Sequence, residues 1–174
     1  MSAKLLVGIL MGSDSDMEVM EESAKVLREF KIEYEMVITS AHRTPRRTTL
    51  YAESAAKRGI KILIAGAGYA AHLAGVIAAQ TILPVIGVPI DSSSLKGLDS
   101  ILSTAQMPGG IPVAAMSIGK PGAKNAGIFA AEILALTNAT MRQRVVRYRE
   151  KMEQQVIEKS RSYAKKKAKE IRAL

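Results

Sequence analysis

His42 and Arg43 stand side by side in the stretch Ser40-Ala41-His42-Arg43-Thr44-Pro45. This pairs a group that moves protons near neutral pH with a permanent cation whose flat fork matches a phosphate. The chain has one other histidine, His72, and no cysteine. A cysteine nucleophile and thiolate metal sites are therefore excluded. Two histidines without an H-E-x-x-H spacing give no zinc motif. A second polar stretch, Gly12-Ser13-Asp14-Ser15-Asp16, joins serine hydroxyls and carboxylates to a glycine that permits close backbone approach. Placed before a helix, it can cradle a phosphate, and Asp16 can accept ribose hydroxyls. The same residues also suit a plain helix cap. A third stretch, Gly66-Ala67-Gly68-Tyr69-Ala70-Ala71-His72, is small apart from Tyr69 and His72. It lets backbone come close to a flat ligand, or lets helices pack closely.

These stretches need a frame that brings them together. An apolar run precedes each of the three: Lys4 to Leu10, Ile32 to Thr39, and Ile60 to Ala65. Each reads as a strand. Met17, Met20, Ala24, Leu27 and Phe30 recur three or four apart, which predicts an amphipathic helix over Asp16 to Phe30. Thr44-Pro45 starts a second helix, with Leu50, Ala52, Ala55 and Ala56 on its inner face and Gly59 at its stop. Leu73 to Thr81 predicts an apolar helix and Pro84 to Val88 a fourth strand. Leu95 to Ser103 predicts a short helix, Val113 to Ser117 a fifth strand, and Lys124 to Ala135 a close-packed helix. Strand, loop and helix thus recur about five times. That predicts an α/β fold, a three-layer doubly wound parallel sheet with the βα loops at one edge. Ser13, Asp16, His42, Arg43, Gly66 and His72 then face one cleft.

The remaining sequence is of a different kind. Met141, Val145, Tyr148 and Met152 form a helical seam that thins among lysines and glutamates. Residues 1–140 are expected to form the catalytic α/β domain. Residues 141–174 are expected to form a basic C-terminal helix that packs on a neighbouring subunit. The formal net charge of +9 lies mostly in this helix: residues 142–174 hold 12 basic and 4 acidic side chains, leaving 13 and 12 elsewhere. A nucleic-acid partner would rest on this tail alone, which has no base-stacking array, so none is expected. No apolar run is long enough to span a membrane, and a cytoplasmic protein is expected.

Taken together, the three loops resemble a known family. Met11-Gly-Ser-Asp-Ser-Asp16, Ser40-Ala-His-Arg-Thr-Pro45, Ala65-Gly-Ala-Gly68 and Ala70-Ala-His-Leu73 are similar to the class I N5-carboxyaminoimidazole ribonucleotide mutases of purine biosynthesis, also called phosphoribosylaminoimidazole carboxylase catalytic subunits. Leu83-Pro-Val-Ile-Gly-Val-Pro89, Asp99-Ser100 and Gln106-Met-Pro108 extend the match over about residues 5–136.

The resemblance implies a flavodoxin-like domain in a homo-octamer. It implies interconversion of N5-carboxyaminoimidazole ribonucleotide and 4-carboxy-5-aminoimidazole ribonucleotide without metal, biotin or ATP, so no cofactor is expected. His42 would be the general acid and base. Ser13, Asp16 and Arg43 would bind the ribotide, and Ser40, Ala41, Gly66, Ala67, Gly68, His72 and Leu73 would line its pocket. Two other readings stay open: a class II enzyme that carboxylates 5-aminoimidazole ribonucleotide directly with carbon dioxide, and a non-catalytic ribotide-binding module. Class II members typically carry lysine after the histidine and an Ala-Gly-Arg-Ser-type third loop. Arg43 and Gly66-Ala67-Gly68 point to class I. The chain departs from the family at Met17, where tryptophan is frequent, at Tyr69, where a small residue is usual, and at Ala74, where proline is common.

Overall fold

The computed structural model describes residues 5–172. It divides into two compact units, with the boundary between Ile133 and Leu134.

The first unit is built on five strands: β1 (Val7–Met11), β2 (Tyr34–Ile38), β3 (Ile62–Ala67), β4 (Val85–Pro89) and β5 (Ala114–Ala115). All pairings are parallel, in the order β2-β1-β3-β4-β5. The three middle strands are runs of apolar residues, buried almost throughout. Only strands covered on both faces read that way. Each strand is followed by a helix, in order α1 (Met17–Glu29), α2 (Pro45–Ala55), α3 (Leu73–Ala78), α4 (Leu98–Ala105) and α5 (Lys120–Ala135).

Glycines set how closely the layers approach. A Cβ on Gly8 would strike the Tyr51 hydroxyl of α2, and one on Gly66 would strike Met20 Sδ of α1. Opposite faces of the sheet are thus covered by different helices. On the α2 and α3 side, Leu10, Ala52, Ala55, Leu63, Ala65, Leu73 and Ile77 form a buried cluster. On the α1 side, the buried Ser23 donates its hydroxyl to the carbonyl of Ala123 in α5 (2.6 Å).

Several boundaries differ from the sequence expectation, each for a local reason. β3 runs to Ala67 instead of stopping at Ala65, because Gly66 and Ala67 pair with Val88 and Pro89 of β4. β1 pairs over Val7–Met11, while Lys4 lies outside the described residues. α2 buries Thr48, Ala52 and Ala55, leaving Leu50 55% exposed instead of on the inner face. α3 stops at Ala78, where the Gln80 N–H turns back to the Ile77 carbonyl. Gly97, at φ +86°, delays α4 to Leu98. β5 keeps only two paired residues at the sheet edge. Gly119, at φ +74°, lets α5 begin at Lys120, with Pro121 in the first turn, where a missing N–H costs no hydrogen bond.

The second unit contains α6 (Ala139–Arg172), a single helix of 34 residues. The Asn138 side chain opens it by accepting the Met141 N–H (3.0 Å). Along its seam Met141, Val145 and Tyr148 are buried, whereas Met152, Val156 and Tyr163 are exposed. Among the described residues, no helix is long and apolar enough to cross a membrane.

Candidate active site

The strand order reverses beside β1, whose neighbours are β2 on one side and β3 on the other. Ligands of open α/β sheets bind at such a point, beyond the carboxyl ends of the strands. Backbone bonds carry the ladder past the strands there: Thr39 N–H to Met11 O (2.9 Å) and Gly12 N–H to Gly66 O (3.2 Å). The three loops therefore leave the sheet from one place. They enclose a cleft of about 470 Å³ lined by Gly12, Ser13, Ser15, Asp16, Ser40 to Arg43, Ala67 to Leu73 and Ser92. That is within the size range of small-molecule sites, about 300–1,000 Å³.

The first loop is a closed capping box. Ser13 caps the short 3-10 turn Asp14–Asp16, and its own N–H donates to Asp16 Oδ2 (3.0 Å). The Ser13 hydroxyl donates to Asp14 Oδ1 (2.8 Å). Helix capping and a ligand cradle are not exclusive here, because the cap is what aims the Asp16 carboxylate. Asp16 is only 4% exposed. Burial pushes its carboxyl above the ordinary aspartate value, although the Ser13 and Gly12 N–H groups and the Arg43 cation pull the other way.

A net of hydroxyls holds the second loop. The Ser40 N–H donates to Thr44 Oγ1 (2.9 Å), and the Arg43 N–H donates to Ser40 Oγ (3.1 Å). Behind them the buried Thr39 and Thr48 hydroxyls pair at 2.8 Å. This net fixes both ends of the turn that carries His42. Arg43 reaches back to the first loop, donating from Nη2 to the Gly12 carbonyl at 2.9 Å.

The third loop brings the second histidine to the first. His42 Nε2 and His72 Nδ1 are 2.8 Å apart, with the rings edge to face at 75°. One of these nitrogens must donate and the other accept, so the facing pair holds a single proton between them. Both histidines are exposed to the cleft. Gly68 allows the loop to pass against Ser92, where a Cβ would strike the serine side chain. Tyr69 follows in a turn closed by the Ala71 N–H to Gly68 O (3.1 Å). Its φ is +52°, a left-handed backbone that costs a non-glycine residue roughly 1–3 kcal/mol.

Of the residues expected at the site, Ser13, Asp16, Ser40, Ala41, His42, Arg43, Ala67, Gly68, His72 and Leu73 line the cleft. Gly66 does not. It is buried in β3, and its missing Cβ makes room for Met20. Ser15 and Ser92 line the cleft without having been singled out. Ser92 follows β4 in an Asp-Ser-Ser-Ser run, the one local sign that this loop is polar at the sheet edge. Among the described residues, no three His, Cys, Asp or Glu side chains converge to hold a metal ion.

Asp16 gives a test that needs no ligand. Its folded-state pKa lies above the unfolded value, so the folded chain binds this proton more tightly. Its contribution to stability is greatest at low pH and is lost as pH rises through the folded pKa. Asp16→Asn removes that loss while keeping an oxygen to accept the Ser13 N–H. Melting temperature measured against pH should then show the variant at least as stable as wild type at pH 7, with the difference vanishing in acid. A variant clearly less stable at pH 7 would contradict this.

The chain is similar to known proteins over most of its length. The family model described as AIR carboxylase matches residues 6–155. An N5-carboxyaminoimidazole ribonucleotide mutase of Thermotoga maritima is 54% identical over 154 residues, covering 88% of this chain and 89% of that protein. The protein of the same name in Bacillus subtilis is 54% identical over 155 residues, covering 89% and 96%. Among solved structures, the crystal structure of Treponema denticola PurE matches with a TM-score of 0.78 at 35% identity, covering 88% of this chain and 94% of that one.

Proposed function

This chain belongs to the AIR carboxylase family, and we propose that it interconverts N5-carboxyaminoimidazole ribonucleotide and 4-carboxy-5-aminoimidazole ribonucleotide in purine biosynthesis. It is an isomerase that moves a carboxylate from nitrogen to carbon. The observation that carries the chemistry is the 2.8 Å His42–His72 pair in a cleft walled by small residues.

In the forward direction the bond between the exocyclic nitrogen and the carboxylate carbon breaks and carbon dioxide is released. The electron pair stays on nitrogen, which takes a proton from His42. The ring carbon then attacks the carbon dioxide, and the proton on that carbon passes to the same histidine. One proton is given and one recovered, so a single acid/base group closes the cycle. His72 serves as the second station for that proton. The ribotide is anchored at the other end of the cleft. Arg43 takes the phosphate through paired N–H groups, with Ser13 and Ser40 beside it. Asp16 takes ribose hydroxyls, and pairing with these donors would offset the cost of its burial. Ala41, Ala67, Gly68 and Leu73 form the wall against the imidazole. Gly66 acts one layer behind, by letting α1 close on the sheet.

We propose further, as the resemblance implies, that the chain works in the cytoplasm as a homo-octamer. The exposed Met152, Val156 and Tyr163 of α6 give that helix its face for a neighbouring subunit.

Supplying either substrate, with and without bicarbonate, separates the two enzyme readings. The N5-carboxylated ribotide should be converted at the same rate in both conditions. Turnover that needs added bicarbonate would instead identify a direct carboxylase. Binding of the ribotide with no turnover in either condition would leave the non-catalytic reading.

A further inference from the structure

We propose that Tyr69 is the cover of this cleft, a residue that sets how much of the released carbon dioxide reaches the ring carbon and how much escapes. The proposal rests on the carboxylate-transfer reading above. Between bond breaking and bond making, the carbon dioxide has two fates. It is attacked by the ring carbon, or it diffuses into water and leaves the decarboxylated aminoimidazole ribotide. A transfer enzyme must disfavour the second, and that requires apolar surface over the ligand.

Small residues make up most of the cleft wall. The cleft is lined by glycine, alanine, serine, aspartate, arginine and the two histidines. Its two large apolar side chains are Leu73 and Tyr69. Leu73 is 2% exposed and fixed in the core, so it is part of the wall. Tyr69 is 64% exposed at the cleft, and its ring turns on only two side-chain torsions.

The backbone singles out the same residue. Three non-glycine residues among those described have positive φ: Lys31, Tyr69 and Lys96. Lys31 ends α1, where its N–H bonds back to Arg28 O, and Lys96 precedes Gly97 at the start of α4. Both serve helix boundaries. Tyr69 instead lies between Gly68 and Ala70 on the cleft wall, three residues before His72. Glycine would hold that conformation without strain. An aromatic residue held there against local preference, on the wall of the cleft, is the second ground for a role at the site.

The test uses the full chain with Tyr69→Gly and Tyr69→Phe. The measured quantity is the ratio of decarboxylated ribotide released to carboxylated product formed, after subtracting an enzyme-free control. Incorporation of carbon-13 from labelled bicarbonate buffer is the second readout. Tyr69→Gly relieves the backbone strain, so its melting temperature should not fall. Its release ratio should rise at least fivefold, with matching label incorporation. Tyr69→Phe keeps the ring and should behave as wild type. An unchanged ratio in Tyr69→Gly overturns the proposal. So does a Tyr69→Phe variant that leaks as much, because the hydroxyl would then be the active part. If wild type forms no carboxylated product at all, the transfer reading itself has failed.

Discussion

Replacing His42 with asparagine is expected to lower turnover by about 10²–10⁴-fold, the usual contribution of a positioned acid/base group. Asparagine is close in size to histidine and keeps hydrogen-bonding groups, but it carries no titrating proton near neutral pH. The turn that holds position 42 is fixed by Ser40, Thr44 and Thr48, not by the imidazole. His42 is also exposed, so the fold should be unaffected. Ribotide affinity should change little, because the phosphate and ribose contacts proposed above lie with Arg43 and Asp16. Isothermal titration with the ribotide and a steady-state assay read the two quantities separately. Binding retained with turnover lost places the proton step at His42. Turnover within a few-fold of wild type would transfer that role elsewhere, with His72, 2.8 Å away, the first candidate.

The second large effect is expected at Arg43. Removing a charged hydrogen-bond donor costs roughly 1.5–3 kcal/mol, which is about 10- to 150-fold in affinity. Arg43→Ala should therefore raise KM and the dissociation constant by that factor. The side chain also ties the second loop to the first through the Gly12 carbonyl. Some loss in kcat should accompany the weaker binding as the two loops lose their tie. Arg43→Lys should recover only part of the affinity, because lysine restores charge but not the planar fork. Unchanged affinity in Arg43→Ala would remove the phosphate from this residue.

The parts of this site that could be read from the sequence depend on neighbours in the chain. Ser13 and Asp16 are three apart, the spacing of a capping box, and Pro45 marks the first turn of α2. Each such signal places a loop between a strand and a helix. The alternating pattern then sends those loops to one edge. What was not legible depends on residues distant in sequence. Gly66 looks like part of a flexible small-residue loop until Met20 is seen to occupy the space beside it. Thr48 reads as a polar helix residue, yet it is fully buried and bonded to Thr39. Leu50 reads as core because a hydroxyl on the inner face is not anticipated. Ser92 enters the cleft because β4 pairs with β3, a contact that no local pattern announces. The 2.8 Å approach of His42 and His72 is of the same kind, since thirty residues separate them.

On the proposed mechanism one carboxylate moves from nitrogen to carbon within one cleft. The most direct measurement supplies N5-carboxyaminoimidazole ribonucleotide labelled with carbon-13 in its carboxylate, in buffer containing unlabelled bicarbonate. Mass spectrometry of the 4-carboxylated product should find most of the label retained. Product carrying the unlabelled carbon of the buffer would show that the carboxylate came from solution, and would contradict transfer within the cleft.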